Sequence, residues 1–238
     1  MTLFRYSAFL LLAVVTTTHA HAQAWQCRAP VSLPRPQIEQ VSRAEIRRTP
    51  VAGYTLALSW SREYCKGKAG RGMQCDSSIG DFGFIVHGLW PEGRGRDYPQ
   101  YCRSAAVLPP AVLTQNICMS PDVKLLQHSW AKHGTCMSRR PETYFKAARV
   151  MFGAIEFPDM DRLSRQYKNG TPLTVGGLTK AFADINEGLP ANALRIKTNG
   201  RGWLQEVRVC LAKNFKPRRC PAHMQGARDA AQVKIWRG

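Results

Sequence analysis

Eight cysteines constrain the fold of this chain more than any other feature. They are Cys27, Cys65, Cys75, Cys102, Cys118, Cys136, Cys210 and Cys220. The number is even and no two are spaced as the CxxC pair of a zinc ribbon, so disulfides are favoured over a metal site. Such bonds persist in an oxidising compartment. About 105 pairings of eight thiols are possible, and spacing alone does not choose among them. The start of the chain fits the same compartment. MTLFRYSAFLLLAVVTTTHAHAQA carries Arg5, an apolar run from Ala8 to Val15, and small residues at Ala20, Ala22 and Ala24. This pattern predicts a secretory leader over residues 1–24, cleaved after Ala24 or Ala22. The apolar run is well short of the ~20 residues that a membrane span needs, and no later stretch is long enough either. The mature chain is therefore expected to be periplasmic or secreted, free of the membrane, and monomeric.

With 238 residues, 44% hydrophobic and 21% charged, the composition is that of a globular protein, and one domain over 25–238 is the simplest division. The net charge is +18, one less once Arg5 leaves with the leader. Basic residues are spread over 43–48, at Arg94 and Arg96, at Arg139 and Arg140, and over 213–219. No single run dominates, so a folded surface that gathers them would suit a polyanionic partner.

Residues 25–50 are rich in proline and charge and read as an arm tied down by Cys27. Tyr54 to Trp60 alternates apolar with polar residues, which predicts a strand. A glycine-rich loop follows over 66–80. Phe82 to Val86 predicts a buried strand running into HGLWP, and Trp90 to Tyr101 a long loop. Ser120-Pro121 supplies an N-cap and first-turn proline for a helix that reaches Gly134. Further helices are expected over 141–155, 159–167 and 178–186, and strands over 194–197, 204–211 and 233–236. Strands first, helices in the middle and strands last predict an α+β fold with an antiparallel sheet.

Two segments carry chemistry. HSWAKHGTC, His128 to Cys136, places two histidines and a lysine on one helix without a carboxylate. His128 and Lys132 lie one turn apart, as do Ser129 and His133, a donor-rich face suited to an oxyanion. As a zinc site, His128, His133 and Cys136 would lack a fourth ligand. In FIVHGLWPEG, His87 ends a buried strand beside Gly88, which permits close backbone approach. Two imidazoles, each with a reference pKa near ~6.5, suit a reaction in which one accepts a proton and the other donates one.

HGLWP at 87–91 together with HxWxKHGTC at 128–136 resembles the two active-site segments of the ribonuclease T2 family, with the likeness running from about Tyr54 to Pro221. The resemblance implies an α+β sheet packed by helices and metal-independent, cofactor-free cleavage of single-stranded RNA. The reaction passes through a 2′,3′-cyclic phosphate to a 3′-phosphate. It implies that His133 takes the 2′-OH proton and His87 protonates the 5′-oxygen. His128 would bind phosphate, and Lys132 would neutralise charge on the phosphorane. Trp90 and Tyr98 would stack a base to which Glu92 hydrogen-bonds. Family pairing joins Cys65 to Cys75, Cys102 to Cys136 and Cys210 to Cys220, leaving Cys27 with Cys118.

Ser129 departs from the family, which usually has glutamate at this catalytic position. Three functions therefore compete: an active ribonuclease, a weakened relative that binds RNA or another partner, and a secreted zinc enzyme. Both proton-transfer histidines are retained, which favours the first. The AQA ending of the leader points to a bacterial periplasm, in which case the glycosylation acceptor pattern Asn169-Gly170-Thr171 is a chance match.

Overall fold

A computed structural model describes residues 27–67, 71–166 and 172–238. The leader expected over 1–24 and the acceptor at Asn169 to Thr171 lie outside them. The alternating run after the arm forms strand β1, Gly53–Trp60. The others are β2, Phe84–Glu92, β3, Leu194–Thr198, and β4, Leu204–Leu211. They make one antiparallel sheet in the order β2-β1-β4-β3. Helices follow in chain order as α1 (Ser61–Tyr64), α2 (Pro110–Asn116), α3 (Val123–His128), α4 (Thr135–Met137), α5 (Pro141–Gly153), α6 (Met160–Gln166) and α7 (Val175–Ile185). Between α3 and α4 the backbone winds as a π-helical turn, Ser129–Gly134. Among the described residues no helix is long and apolar enough to cross a membrane.

The strand period of two sorts the sheet into two faces. Leu56 and Leu58 of β1, Val207 and Val209 of β4 and Ile196 of β3 are buried against Phe145, Phe152, Leu178 and Phe182 of the helices. On the other face, Ala57 is paired with Gly88 and Arg208, Ser59 with Glu206, and Lys197 with Glu206. That face is polar and basic, and the candidate site lies on it.

Four disulfides staple the fold: Cys27–Cys118, Cys65–Cys75, Cys102–Cys136 and Cys210–Cys220. They are the pairs that the family resemblance implies. Cys102–Cys136 ties the loop after β2 to α4, and Cys27–Cys118 anchors the arm.

Several boundaries differ from expectation. β2 continues through the HGLWP segment to Glu92, because Ala52 and the β1 residues Gly53 to Ala57 go on pairing with it. Helix α3 starts after Asp122, not Ser120: the Asp122 carboxylate accepts from the N–H groups of Lys124 and Leu125 at 2.7 and 3.1 Å. A carboxylate at the N-cap suits the helix dipole better than a hydroxyl. α2 was not expected; Pro110 occupies a first-turn position where its missing N–H does no harm. Residues 233–236 form no strand; Lys234 makes an isolated parallel bridge with Trp203.

Candidate active site

The pairing of β1 with β2 slips between Ala57 and Leu58, which sit opposite Gly88 and Val86. His87 is the extra residue of this bulge, a device that re-aims a side chain. Its Nδ1 lies 2.7 Å from Oε2 of Glu206 on β4. The Glu206 carboxylate is buried, and its other oxygen accepts from Nε of Arg208 at 2.7 Å. Burial pushes the Glu206 carboxyl up, but the His87 hydrogen bond and the Arg208 charge outweigh it, so the carboxyl is held below its ordinary value. With Nδ1 committed to Glu206, the Nε2 edge of His87 is left for substrate.

The helical segment reaches the same place from the edge of the sheet. Residues five apart on a regular α-helix point about 140° away from each other. A π turn, with its i→i+5 bonding, stacks them instead. His128 and His133 accordingly approach with ring centroids 6.3 Å apart and planes at 88°. Gly134 lets this turn pack closely, since a Cβ there would run into Trp130 and lie 2.9 Å from Tyr144. His133 is only 7% exposed, and its Nδ1 is buried without a hydrogen-bond partner among the described residues. Burial, then the charges of Lys132, His128 and His87, hold its imidazole well below the ordinary histidine value. His128 is half-buried, with Nδ1 2.8 Å from Oε1 of Glu39.

The Trp90 indole sits between the two proposed proton-transfer residues. Its ring centroid is 5.3 Å from His87 and 5.7 Å from His133, and the Arg208 guanidinium lies 5.1 Å from it. Gly88 makes this possible, because a Cβ there would collide with the indole nitrogen. Trp90, Glu92, Tyr98, Lys132 and His133 line one cleft of about 350 Å³ with Arg96, Arg208 and His223. Glu92 accepts from the Thr55 hydroxyl at 2.7 Å, and burial pushes its carboxyl up against the opposing pull of Thr55, His223, Arg208 and Arg218. The Tyr98 ring carries Arg47 at 5.1 Å. On its other side His87 borders a second cleft of about 560 Å³, rimmed by Tyr64, Lys66, Lys197 and Arg201.

His87, His128, Lys132, His133, Trp90, Glu92 and Tyr98 thus converge. The hydroxyl of Ser129 is turned to β2, where it donates to the carbonyl of His87 at 3.1 Å. Cys136 is in a disulfide, so it is no zinc ligand, and among the described residues no group of three or more His, Cys, Asp or Glu is arranged to hold a metal. Sequence reasoning missed Glu39, Glu206 and Arg208. Nothing in the arm marks Glu39, and in LQEVRVCL the polar Gln205 beside Glu206 blurs the alternation that would have singled out Glu206 and Arg208.

The class is that of a disulfide-stapled α+β protein with two imidazoles and a lysine in a basic, aromatic-lined cleft. The Ribonuclease T2 family model matches residues 52–220, and the chain belongs to that family. A ribonuclease of Aeromonas hydrophila is 32% identical over 163 residues, 67% of this chain and 71% of that protein. A probable ribonuclease of Haemophilus influenzae is 36% identical over 132 residues, spanning 50% of this chain but only 48% of that protein. Among solved structures, trichomaglin, described as a novel S-like ribonuclease, superposes with a TM-score of 0.60 at 19% identity, over 78% of this chain and 98% of its own. RNase NT in complex with 5′-AMP superposes at 0.57 and 22% identity, over 79% and 98%. At these identities the solved structures speak for the fold.

Proposed function

We propose that the protein is an exported ribonuclease T2-type endoribonuclease that cleaves single-stranded RNA by transphosphorylation without a metal or cofactor. The observation that carries this reading is the contrast between its two imidazoles. His133 is buried among cations and held neutral, as a base must be. His87 is backed at Nδ1 by a carboxylate, as suits a proton donor. Environments that differ in this way separate an acid from a base.

His133 removes the proton of the 2′-OH, the 2′-oxygen attacks phosphorus, and the bond from phosphorus to the 5′-oxygen breaks as His87 delivers its proton to that oxygen. His128 binds the phosphate, and Lys132 offsets the charge on the phosphorane, a contribution that grows toward the transition state. The roles then reverse: His87 takes a proton from water, the water oxygen attacks the cyclic phosphate, and His133 returns a proton to the 2′-oxygen. Trp90, Tyr98 and Glu92 receive a base on one side of His87, and the basic cleft on the other side suits the departing strand. Export is supported by the leader-like residues 1–24 and by four disulfides, and a monomer in solution by the strongly charged sequence. The test is end analysis during cleavage of a dinucleoside phosphate. A 2′,3′-cyclic phosphate should accumulate before the 3′-phosphate, and the 2′-deoxy analogue should remain intact. Direct formation of a 5′-phosphate would overturn the mechanism.

A further inference from the structure

With Ser129 turned to the backbone of β2, the site lacks the carboxylate that the family usually places beside the first histidine of its helical segment. A carboxylate nevertheless reaches that histidine, and it comes from the arm, upstream of residues 52–220 that match the family model. We propose that Glu39 is a positioning residue of the active site, which holds His128 by Nδ1 and leaves Nε2 to the phosphate. The proposal deepens the ribonuclease reading and rests on it.

Two side chains converge on Glu39. Its Oε1 lies 2.8 Å from His128 Nδ1, and after burial its charge is the main influence that pushes the Tyr101 phenol up to about 12. Tyr101 is itself held in an uncommon backbone conformation, with φ of 51°. Its N–H donates to the Lys132 carbonyl at 2.8 Å, and its ring stands 6.5 Å from that of His128. Left-handed backbone at a bulky residue costs free energy and persists only where the surroundings enforce it. The arm is fixed on both sides of Glu39. Upstream, Cys27 is bonded to Cys118 and Arg28 donates to the Ile79 carbonyl at 2.7 Å. Downstream, Arg47 and Gln100 exchange two backbone hydrogen bonds of 3.0 Å, and the Gln100 amide donates to the Glu45 carbonyl at 2.7 Å. Glu39 is therefore presented by an anchored strap.

A carboxylate only accepts hydrogen bonds, so its contact fixes the proton of His128 on Nδ1 and sets the plane of the ring. An isolated surface ion pair contributes little to stability. Here the contribution is orientation: a side chain half-open to solvent keeps one rotamer and one tautomer before substrate arrives. The arm thus joins the catalytic machinery without touching substrate.

The test uses the full-length oxidised protein and a dinucleoside phosphate. His128 holds phosphate in ground and transition states alike, so Glu39→Ala should raise KM about tenfold and change kcat by less than about twofold. Glu39→Gln, which keeps an acceptor, should fall between. In a His128→Ala background, adding Glu39→Ala should change kcat/KM by less than about twofold, because the residue acts through His128. Nitrogen NMR of the His128 ring, titrated with inorganic phosphate, should show Nδ1 protonated and Nε2 responding in the wild type, with that preference lost in Glu39→Ala. An unchanged KM and tautomer in Glu39→Ala, or an equal loss with and without His128, would overturn the proposal. If the wild type cleaves no RNA, the ribonuclease reading fails, and the NMR titration still decides the role of Glu39.

Discussion

Ser129→Ala should act first on the fold and only through it on catalysis. Ser129 is 4% exposed, and its hydroxyl donates to the His87 carbonyl at 3.1 Å. The phenol of Tyr144 accepts from the N–H of Leu89 at 3.3 Å and donates to the carbonyl of Leu89 at 3.2 Å. These two hydroxyls satisfy the outer edge of β2 where the catalytic bulge lies. Removing one leaves a buried carbonyl without its donor, at a cost of about 1–3 kcal/mol. For a chain of this size that lowers Tm by roughly 2–12 °C. The relaxed bulge carries His87, so kcat should fall severalfold while KM changes little. Thermal unfolding and steady-state cleavage of a dinucleoside phosphate measure both effects. Ser129→Glu also deletes the donor, so it should melt below the wild type and gain no rate. An alanine variant that melts with the wild type would mean that the hydroxyl does not support the bulge, and a glutamate variant that turns over faster would mean that position 129 faces the reacting phosphate; either would refute the reasoning.

Glu206→Gln should reduce kcat/KM roughly 10- to 100-fold by releasing the Nδ1 edge of His87. The depressed carboxyl of Glu206 contributes stability above the ordinary carboxylate range that is lost as pH falls through its lowered value, so urea denaturation of the glutamine variant should show a shallower decline in acid. His133 behaves oppositely to a paired histidine: the unfolded chain binds its proton near ~6.5 while the native chain does not, so stability falls as pH drops below that value. The same lowered affinity should carry the acidic limb of kcat/KM well below pH 6.5, and Lys132→Met should move that limb upward even as the rate falls; a limb that stays at 6.5 in both proteins would count against it. Replacing Cys27 and Cys118 by serine opens a link across 91 residues, for which loop-closure entropy sets a loss of about 4 kcal/mol, measured by denaturant unfolding of the two oxidised proteins.

The parts of the fold legible in the sequence are those fixed by local pattern. The alternation from Tyr54 to Trp60 and from Leu204 to Leu211 marks strands, because one face of the sheet is buried by helices and the other is not. His87, His133 and Trp90 were legible because short motifs hold them at fixed spacing. What local pattern does not carry is long-range pairing. Glu206 meets His87 across 119 residues and Glu39 meets His128 across 89, and neither carboxylate sits in a segment with a distinctive spacing. The π turn was equally hidden: HSWAKHGTC reads as regular helix, and the added winding brings His128 and His133 together. At 233–236, apolar alternation suggests a strand, but the segment pairs with Trp203 at one bridge only.

The central claim is that two imidazoles alone move the protons of RNA cleavage. Its most direct measurement is digestion of single-stranded RNA and of DNA of the same sequence by the mature oxidised protein in excess EDTA, beside His87→Ala and His133→Ala. The account predicts that the wild type cleaves RNA at an undiminished rate in the chelator and leaves DNA, which has no 2′-OH, intact. Each alanine variant should lose at least about 10²-fold in rate. Loss of wild-type activity on chelation, equal cleavage of DNA, or an alanine variant as active as the wild type would contradict it.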